Sequence, residues 1–226
     1  MRFHFGVGSY IYEFFKYQIT ERTQNYAEKE AELRLLKSKT NPHFLFNALN
    51  SLYSFALKEN ADYTAENILK LADMIRFMQK DIEKDKIPLA RELKYINDYI
   101  SIQQTRCSKK PTVKLKLSGI GKVEIAPLML VPFVENAFKH GISLDTESSL
   151  EIRVECEENT MRFFCGNTVT HGQYRQNTFQ RGFGIGINNV RQRLALVYPH
   201  NHRLDIDDRE DYFSVNLELY DTNRNN

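Results

Sequence analysis

The sequence has no tryptophan, only three cysteines and few of the residues that break regular structure. Its 226 residues include 10 Gly and 6 Pro, which excludes a collagen-like or low-complexity chain. The cysteines, Cys107, Cys156 and Cys165, are odd in number and form no Cys-x-x-Cys pair. We therefore expect neither a disulfide framework nor a zinc site, and a reducing cytoplasm suits the chain better.

A long apolar run is also missing. No stretch reaches the roughly 18 apolar residues that a membrane-spanning helix needs. The apolar segment Phe3–Phe15, flanked by Arg2 and Lys16, is shorter. It predicts either a short packed or interfacial helix, or the inner end of a membrane helix whose remainder precedes this sequence. We interpret residues 1–28 as a membrane-proximal or linker segment.

The sequence also has no large excess of positive or negative charge. The 31 basic and 29 acidic residues give a formal net charge of +2. This balance supplies no global electrostatic reason to bind nucleic acid, so we expect no direct nucleic-acid partner. What the sequence does contain is core material, since 15 Phe and 12 Tyr exclude a chain that is disordered throughout.

The sequence up to residue 109 is typical of helices. A charged run from Glu21 to Lys39 predicts a solvated connecting helix. After it, three stretches carry apolar residues at helical spacing, and Pro88 precedes the third. These stripes suit packing in a helical bundle. Their residues are Leu45, Leu49, Leu52 and Ala56, then Ile68, Leu71, Ala72, Ile75 and Met78, then Leu89, Leu93, Ile96 and Ile100.

The composition changes at Lys109-Lys110-Pro111, which we interpret as a domain boundary. Beyond it, alternating apolar residues predict strands, with helices over 127–140 and 187–198 and a polar loop over 168–181. The predicted fold class is α+β, with an N-terminal dimerising helical hairpin or bundle followed by an α/β sandwich. The predicted domains are residues 29–109 and 110–222, with a tail at 223–226.

The first of three polar clusters is Asn41-Pro42-His43-Phe44-Leu45-Phe46-Asn47. Asn-Pro is typical of a helix start, because Asn caps unpaired N–H groups and Pro suits the first helical position. His43 then shares a polar stripe with Asn47, Asn50 and Ser54. A capped helix with a surface histidine explains this pattern. A nucleophile also explains it, because the positive end of the helix dipole disfavours the imidazolium form.

The second cluster is Glu135-Asn136-Ala137-Phe138-Lys139-His140-Gly141, in a stretch that otherwise has the pattern of a buried helix. Glu135 and Lys139 share a helix face, as do Asn136 and His140. A salt bridge and a helix C-cap at Gly141 explain the pattern structurally. Chemically, an asparagine oxygen can bind Mg²⁺, a glutamate can act as a base, and a lysine can meet phosphate.

The third cluster is Gly182-Phe183-Gly184-Ile185-Gly186, followed by a predicted helix. Glycines let the backbone approach phosphates, and the following helix N-terminus favours anions. A flexible loop before a helix is the simpler interpretation. A P-loop is excluded because no Gly-Lys-Ser/Thr follows, and a dinucleotide fingerprint is excluded because no strand directly precedes the glycines.

In order and spacing, the three clusters together resemble the LytS-type sensor histidine kinases. The matching motifs are Asn-Pro-His-Phe-Leu-Phe-Asn, Glu-Asn-Ala-x-Lys-His-Gly, and Gly-x-Gly-x-Gly leading into Asn-x-Arg-x-Arg-Leu, and the resemblance covers Leu33 to Leu219. The second half is similar to the GHKL (Bergerat) ATPase type, an α/β sandwich that holds Mg·ATP under a lid. In such families the helical half dimerises and presents the histidine.

The resemblance implies ATP and Mg²⁺ as cofactors and a role for each matching residue. His43 would be the phosphoacceptor, Asn136 would bind Mg²⁺, and Glu135 would orient water or assist proton transfer. Lys139 and His140 would lie near the phosphates. The lid would contribute Gly182, Gly184 and Gly186 around the β- and γ-phosphates, while Arg191 and Arg193 would meet phosphate or cap structure.

One motif departs from the family pattern. The adenine-reading box of the family runs Asp-x-Gly-x-Gly after a strand, and the corresponding segment here is Cys165-Gly166-Asn167-Thr168-Val169. Asn167 replaces the aspartate, and the glycines that should follow are absent. Asparagine can still accept a hydrogen bond from the adenine amine, although without charge.

The resemblance therefore predicts the cytoplasmic transmitter part of an inner-membrane sensor kinase of a two-component system. It implies ATP-dependent autophosphorylation on His43, transfer of the phosphoryl group to an aspartate of a response regulator, and a homodimer. Two alternatives stay open. One is a catalytically weak or inactive dimeric signalling scaffold, consistent with Asn167. The other is a chaperone- or repair-type ATPase, against which the His43 cluster counts.

Overall fold

The computed structural model describes residues 42–143, 145–169 and 185–220. The predicted segment 1–28, the predicted connecting helix over 21–39, the predicted cap Asn41, most of the predicted polar loop, and the tail at 223–226 lie outside these ranges. Contacts between residues divide the chain into two compact units, Met1–Phe55 and Ala56–Asn226. The described part of the first unit is most of one helix. The second unit contains the sheet and the other helices.

The described residues form five helices and seven strands. The helices are α1 (Pro42–Lys58), α2 (Asp62–Lys80), α3 (Leu89–Thr105), α4 (Val131–His140) and α5 (Ile185–Val197). The strands are β1 (Ile87–Pro88), β2 (Thr112–Ser118), β3 (Glu124–Ile125), β4 (Ser149–Glu157), β5 (Thr160–Thr168), β6 (His202–Asp208) and β7 (Tyr212–Tyr220). The predicted helices and strands of the described ranges are thus confirmed in kind.

Five strands form one mixed sheet in the order β2-β4-β5-β7-β6, in which only β2 and β4 pair in parallel. Each strand of the central hairpin alternates buried and more exposed side chains, as a sheet covered on one face requires. The buried side chains share one core with residues of α3, α4 and α5. This arrangement is an α/β sandwich, so the predicted α+β fold class is confirmed.

Two short strands and one helix start differ from the prediction. β1 and β3 pair in antiparallel fashion as a separate two-stranded sheet, and each is too short to show a period in the sequence. The helix predicted from Pro127 begins at Val131. Leu128 has a φ of 55°, in the left-handed region, so the backbone of that residue cannot belong to the helix.

Helix α3 belongs to the same core as the sheet. The side chains of its predicted apolar stripe, Leu89, Leu93, Ile96 and Ile100, are buried and join the cluster that includes Ile152 of β4. The helix also packs against α2 and α4. The predicted boundary after residue 109 stays a prediction, but the chain on its N-terminal side contributes core to the sandwich.

The apolar stripes of α1 and α2 are only partly covered. In the predicted stripe of α1, Leu49 and Ala56 are buried but Leu52 is 53% exposed, and outside the stripe Phe44 is 71% and Phe55 57% exposed. In α2, the predicted stripe includes Met78, which is 50% exposed, while Ala65, Ala72 and Phe77 form the buried side. Among the described helices, none combines the length and the apolar character that crossing a bilayer requires.

Candidate functional site

Helix α4 displays the second polar cluster on the side that faces away from the core. Glu135 and Lys139 are exposed, and Asn136 and His140 are half-buried. The opposite side of the helix is buried and consists of Val131, Phe133, Val134 and Ala137. The structure therefore brings the four predicted residues onto one surface, with Asn136 and His140 a turn apart.

Two tyrosines of α3 lie close enough to Glu135 for its negative charge to raise their pKa values. Burial raises the pKa of Tyr95 to about 12 and that of Tyr99 to about 12, and the carboxylate of Glu135 adds to both shifts. Neighbouring atoms partly shield the Glu135 carboxyl group from water, which raises its own pKa. A carboxylate with a raised pKa is a better proton acceptor than an ordinary one.

His140 lies at the end of α4 in a different electrostatic setting. Partial burial lowers its pKa, and the positive charge of Lys139 lowers it further. Both effects disfavour a second positive charge next to the lysine. At neutral pH His140 is therefore a neutral imidazole, which can donate one hydrogen bond and accept another.

Asn167 lies near the end of β5, the central strand of the sheet, and is only 2% exposed. Its amide nitrogen Nδ2 donates a hydrogen bond of 2.9 Å to the carbonyl oxygen of Thr168. Its amide oxygen Oδ1 is buried and has no hydrogen-bond partner among the described residues. A buried acceptor without a partner is costly, so this oxygen is a candidate contact for a ligand donor.

Gly141, which follows Lys139 and His140, leaves space for a side chain of the sheet. Its backbone is right-handed, with φ −118° and ψ −35°, so it does not form the left-handed helix cap expected of a glycine there. A Cβ atom at this position would overlap the amide group of Asn167. Glycine thus leaves the space that Asn167 occupies. No local pattern could have indicated this, because 26 positions along the chain separate the two residues.

The glycine motif is described only at its end. Gly182 and Gly184 lie outside the described residues, and Gly186 lies in the first turn of α5. Gly186 is exposed, and a Cβ atom added to it would meet no atom of the described residues within 4 Å. The part of the protein that the structure describes therefore does not require glycine at this position. Further along α5, Arg191 is exposed and Arg193 is half-buried.

His43 is an exposed residue in the first turn of α1, in the other compact unit. The amide group of Asn47, one turn later, lies 3.2 Å from its Nδ1 atom. A side-chain amide can present either its NH₂ group or its oxygen to this nitrogen, so Asn47 can hold either tautomer of a neutral ring. The predicted polar stripe is confirmed as exposed, since Asn50 and Ser54 also face solvent.

A protein-only metal site is not found in the parts of the chain that the structure describes. No three His, Cys, Asp or Glu side chains there are grouped so that they could hold a metal ion. Asn136 is a suitable oxygen ligand by itself. Mg²⁺ commonly keeps several waters and binds one or two protein groups together with substrate phosphates, which is compatible with a single asparagine.

Comparison with known proteins gives a family match and several relatives. The pattern of the family described as histidine kinase matches residues 31–111. The sensor histidine kinase YpdA of Escherichia coli is 33% identical over 201 residues, which cover 82% of this chain and 34% of that protein. The sensor protein LytS of Oceanobacillus iheyensis is 28% identical over 194 residues, or 79% of this chain and 32% of the relative. The chain thus spans about a third of the length of these relatives.

A solved structure of the histidine kinase AdeS from Acinetobacter baumannii aligns with 85% of this chain and 98% of its own. The sequence identity is 10% and the TM-score is 0.45.

Proposed function

Since this chain belongs to the sensor histidine kinase family, we propose that it phosphorylates itself on His43 with Mg·ATP. The phosphoryl group then passes to an aspartate of a response regulator. The chain would be the cytoplasmic transmitter part of an inner-membrane protein, with a segment at or before its N-terminus leading to the membrane. The relatives are about three times longer than the matched region, so these statements about the whole protein belong to the proposal.

The observation that carries the proposal is the Oδ1 atom of Asn167, which is buried and has no hydrogen-bond partner among the described residues. Because Nδ2 donates to the Thr168 carbonyl, the amide group is held with its oxygen as the remaining acceptor. The exocyclic amine of adenine is a donor that could supply the missing hydrogen bond. Guanine has a carbonyl group in the same place and would leave the oxygen unpaired. The site therefore favours ATP over GTP.

The polar surface of α4 fits the phosphate end of such a nucleotide. Asn136 would hold Mg²⁺, which when bound neutralises phosphate charge. Lys139 is exposed and can meet phosphate oxygens as a point charge. His140, neutral because its pKa is lowered, would donate a hydrogen bond to a phosphate oxygen. Gly182, Gly184 and Gly186 would surround the β- and γ-phosphates as the backbone of the lid.

His43 would act as the nucleophile. In the structure it is the Asn47 amide nitrogen Nδ2 that lies 3.2 Å from Nδ1. Attack by Nε2 would require the amide group to turn so that its oxygen accepts from Nδ1–H, which leaves the lone pair on Nε2. Nε2 forms a bond to the γ-phosphorus, opposite the bond from that phosphorus to the oxygen that bridges the β- and γ-phosphates. This second bond breaks, and ADP leaves with the bridging oxygen. Glu135, whose pKa is raised, would accept a proton or orient water. The protein contributes mainly positioning and charge neutralisation.

A homodimer follows from the proposed function and suits the exposed apolar residues of α1. Phe44 and Phe55 expose more than half of their surface, which a second copy of the chain would cover. Replacing Phe55 by Lys should shift a dimer towards monomers without unfolding the chain. Light scattering across micromolar concentrations measures this, and a wild-type chain that is monomeric throughout contradicts the dimer.

The test of the proposed activity is incubation with γ-labelled ATP and Mg²⁺. We expect acid-labile, base-stable label on the wild type, none on His43→Asn, and wild-type label on the control His200→Asn. His200 is exposed and has a φ of 64°, a conformation that asparagine tolerates. Equal label on His43→Asn and the wild type would remove His43 from its proposed role.

A second function, the inactive dimeric scaffold, is favoured by one observation. The adenine contact would be made by the neutral Asn167 rather than by a carboxylate, which weakens the charge-assisted part of nucleotide binding. A folded chain that binds Mg·ATP but gains no label on His43 would support the scaffold. Label that disappears in His43→Asn would exclude it.

A further inference from the structure

Helix α4 carries the proposed nucleotide contacts but has no cap of its own. The residue before it, Leu130, forms no side-chain cap, and the first turn contains no acidic residue. Helix N-termini present unpaired N–H groups and a partial positive charge, so they need an acceptor when they are buried. Leu130 and Val131 are both buried here.

The missing acceptor comes from α3. Oε1 of Glu92 accepts hydrogen bonds from the backbone N–H of Leu130 at 2.6 Å and of Val131 at 3.3 Å. The backbone N–H groups of Leu128 and Met129 also stabilise its negative charge. Glu92 is 0% exposed, and 38 positions separate it from Leu130. One side chain of α3 thus closes the N-terminus of α4.

Glu92 is a poor choice if its only purpose were stability. Its second oxygen, Oε2, is buried without a hydrogen-bond partner among the described residues. Burying a carboxylate that is only partly satisfied costs free energy, and an apolar residue of similar volume commonly fills such a place at lower cost. What the carboxylate supplies at this place is an acceptor for the backbone N–H groups where α4 begins.

We propose that Glu92 is a positioning residue for the nucleotide-binding helix. By fixing the N-terminus of α4, it holds Glu135 and Asn136, one turn further along, in the orientation that Mg·ATP requires. The inference rests on the proposed function for its effect on ATP, but not for its effect on the helix. The hydrogen bonds of Glu92 go to the backbone at the start of α4, so it would act on these two residues through that backbone.

The experiment compares Glu92→Ala and Glu92→Gln with the control Tyr198→Phe. The phenolic oxygen of Tyr198 accepts a 2.8 Å hydrogen bond from the backbone N–H of Ala126, which precedes α4. The control thus also removes one buried side-chain acceptor from a backbone N–H, but not at the start of the helix. It leaves in place the Glu92 carboxylate, whose charge acts on the Tyr198 hydroxyl. Circular dichroism and thermal unfolding identify the temperature at which every variant is fully folded.

Two readouts are then taken on the folded proteins. Calorimetric titration should show Mg·ATP affinity reduced about tenfold in Glu92→Ala, and about threefold in Glu92→Gln, which keeps a neutral acceptor. Tyr198→Phe should bind as the wild type does. Amide hydrogen exchange without nucleotide should be faster across α4 in Glu92→Ala and at the wild-type rate there in Tyr198→Phe.

The outcomes separate the two proposals. Wild-type exchange in α4 and wild-type affinity in Glu92→Ala overturn the positioning role. An equal loss of affinity in Tyr198→Phe overturns it too, because any loss of stability would then have the same effect. A wild-type chain that binds no Mg·ATP overturns the proposed function, and in that case the exchange rates alone decide the role of Glu92.

Discussion

Asn167 and Gly141 share one small space, and this pairing decides what the candidate site can recognise. The absence of a Cβ atom on Gly141 makes room for the Asn167 amide group. The amide nitrogen Nδ2 of Asn167 donates to the Thr168 carbonyl. The amide oxygen Oδ1 is therefore the acceptor that remains for a ligand. The chemistry available to a ligand at this point is therefore set by three residues from two elements.

At this scale we predict opposite effects of Asn167→Asp on ligand binding and on stability. ATP should bind about five-fold more tightly, because a charged acceptor contributes about 1 kcal/mol more than a neutral one. The nucleotide-free protein should lose about 1–2 kcal/mol of unfolding free energy, because the donor to the Thr168 carbonyl is lost. Titration with ATP and GTP and urea unfolding measure the two effects.

A matched control is Asn216→Asp, an exposed position on neighbouring strand β7. It should leave nucleotide affinity unchanged, and because the new carboxylate lies opposite Asp205 on β6, we expect a small loss of stability of about 0.2–1 kcal/mol. If Asn167→Asp left the ratio of ATP to GTP affinity unchanged, this side chain would not read the base, and the proposed correspondence with the family's aspartate would be wrong.

Gly186 allows a second prediction about a single residue. Since a Cβ atom would meet no atom among the described residues, we expect Gly186→Ala to fold normally and to gain about 0.5 kcal/mol from better helix propensity. ATP affinity should nevertheless fall about tenfold, because the methyl group would occupy space proposed for a phosphate. Calorimetry together with thermal unfolding checks both parts. Unchanged affinity would show that the phosphates do not approach this glycine.

Among the elements, α4 is the one on which most of the proposed site depends. Its N-terminus is closed by Glu92 of α3, and its C-terminus adjoins the amide group of Asn167 from β5. Its buried side fixes the rotation of the helix about its axis, which leaves the four polar residues outside. The position of the site is therefore determined by contacts at both ends and along one side.

The buried carboxyl group of Glu92 predicts a pH dependence of stability. Burial raises its pKa from the ordinary 4.5 to about 7, against the opposing effect of the backbone N–H groups. Between these values the folded protein binds more protons than the unfolded chain, so the free energy of unfolding falls as pH rises. From about pH 5 to about pH 8, wild type should lose about 2–3 kcal/mol relative to Glu92→Gln.

Urea unfolding of both proteins at several pH values measures this difference directly, because the other titrating groups are common to both and cancel. If the free energies of unfolding of wild type and Glu92→Gln differ by the same amount at every pH, Glu92 remains ionised in the folded state throughout this range. A difference that changes in the opposite direction would mean that the charged form is the one the fold prefers.

At the scale of the whole molecule, the core of the sandwich extends across the composition change at residue 109. Helix α3 buries Leu89, Ile96 and Ile100 in the same cluster as the sheet, and it also supplies Glu92. A fragment of residues 82–226 keeps this helix, whereas a fragment of residues 111–226 exposes the apolar surface that α3 covers. Of the buried cluster, the longer fragment lacks only Phe77 of α2, whereas the shorter fragment also lacks every member that α3 contributes.

We expect the fragment of residues 82–226 to unfold cooperatively on heating and to bind Mg·ATP. The fragment of residues 111–226 should show neither property, because the loss of several buried side chains exceeds the usual stability of a small domain. Circular dichroism melts and nucleotide titration compare them. A cooperative melt of the shorter fragment would place the domain boundary after residue 109, as the composition change predicts.

The sequence by itself determined the kind and order of the helices and strands and the three clusters. These features are local: a helix or strand repeats its apolar residues within a few positions, and each motif is a short contiguous run. That is why the hairpin over 150–165 and the apolar stripe of α3 are where the pattern predicts. It is also why the Glu-Asn-Ala-Phe-Lys-His run is identifiable as a polar cluster on a helix from its residues alone.

Only the tertiary structure decided which of these elements share a core and which atoms complete the site. The contact between Glu92 and Leu130, the space that Gly141 leaves for Asn167, and the direction of the Asn167 amide all join residues from different elements. A single sequence contains no periodic signal for such contacts, because they depend on how the chain returns to itself in three dimensions. The sequence places a lone acidic residue on the apolar stripe of α3, and packing turns it into the cap of α4.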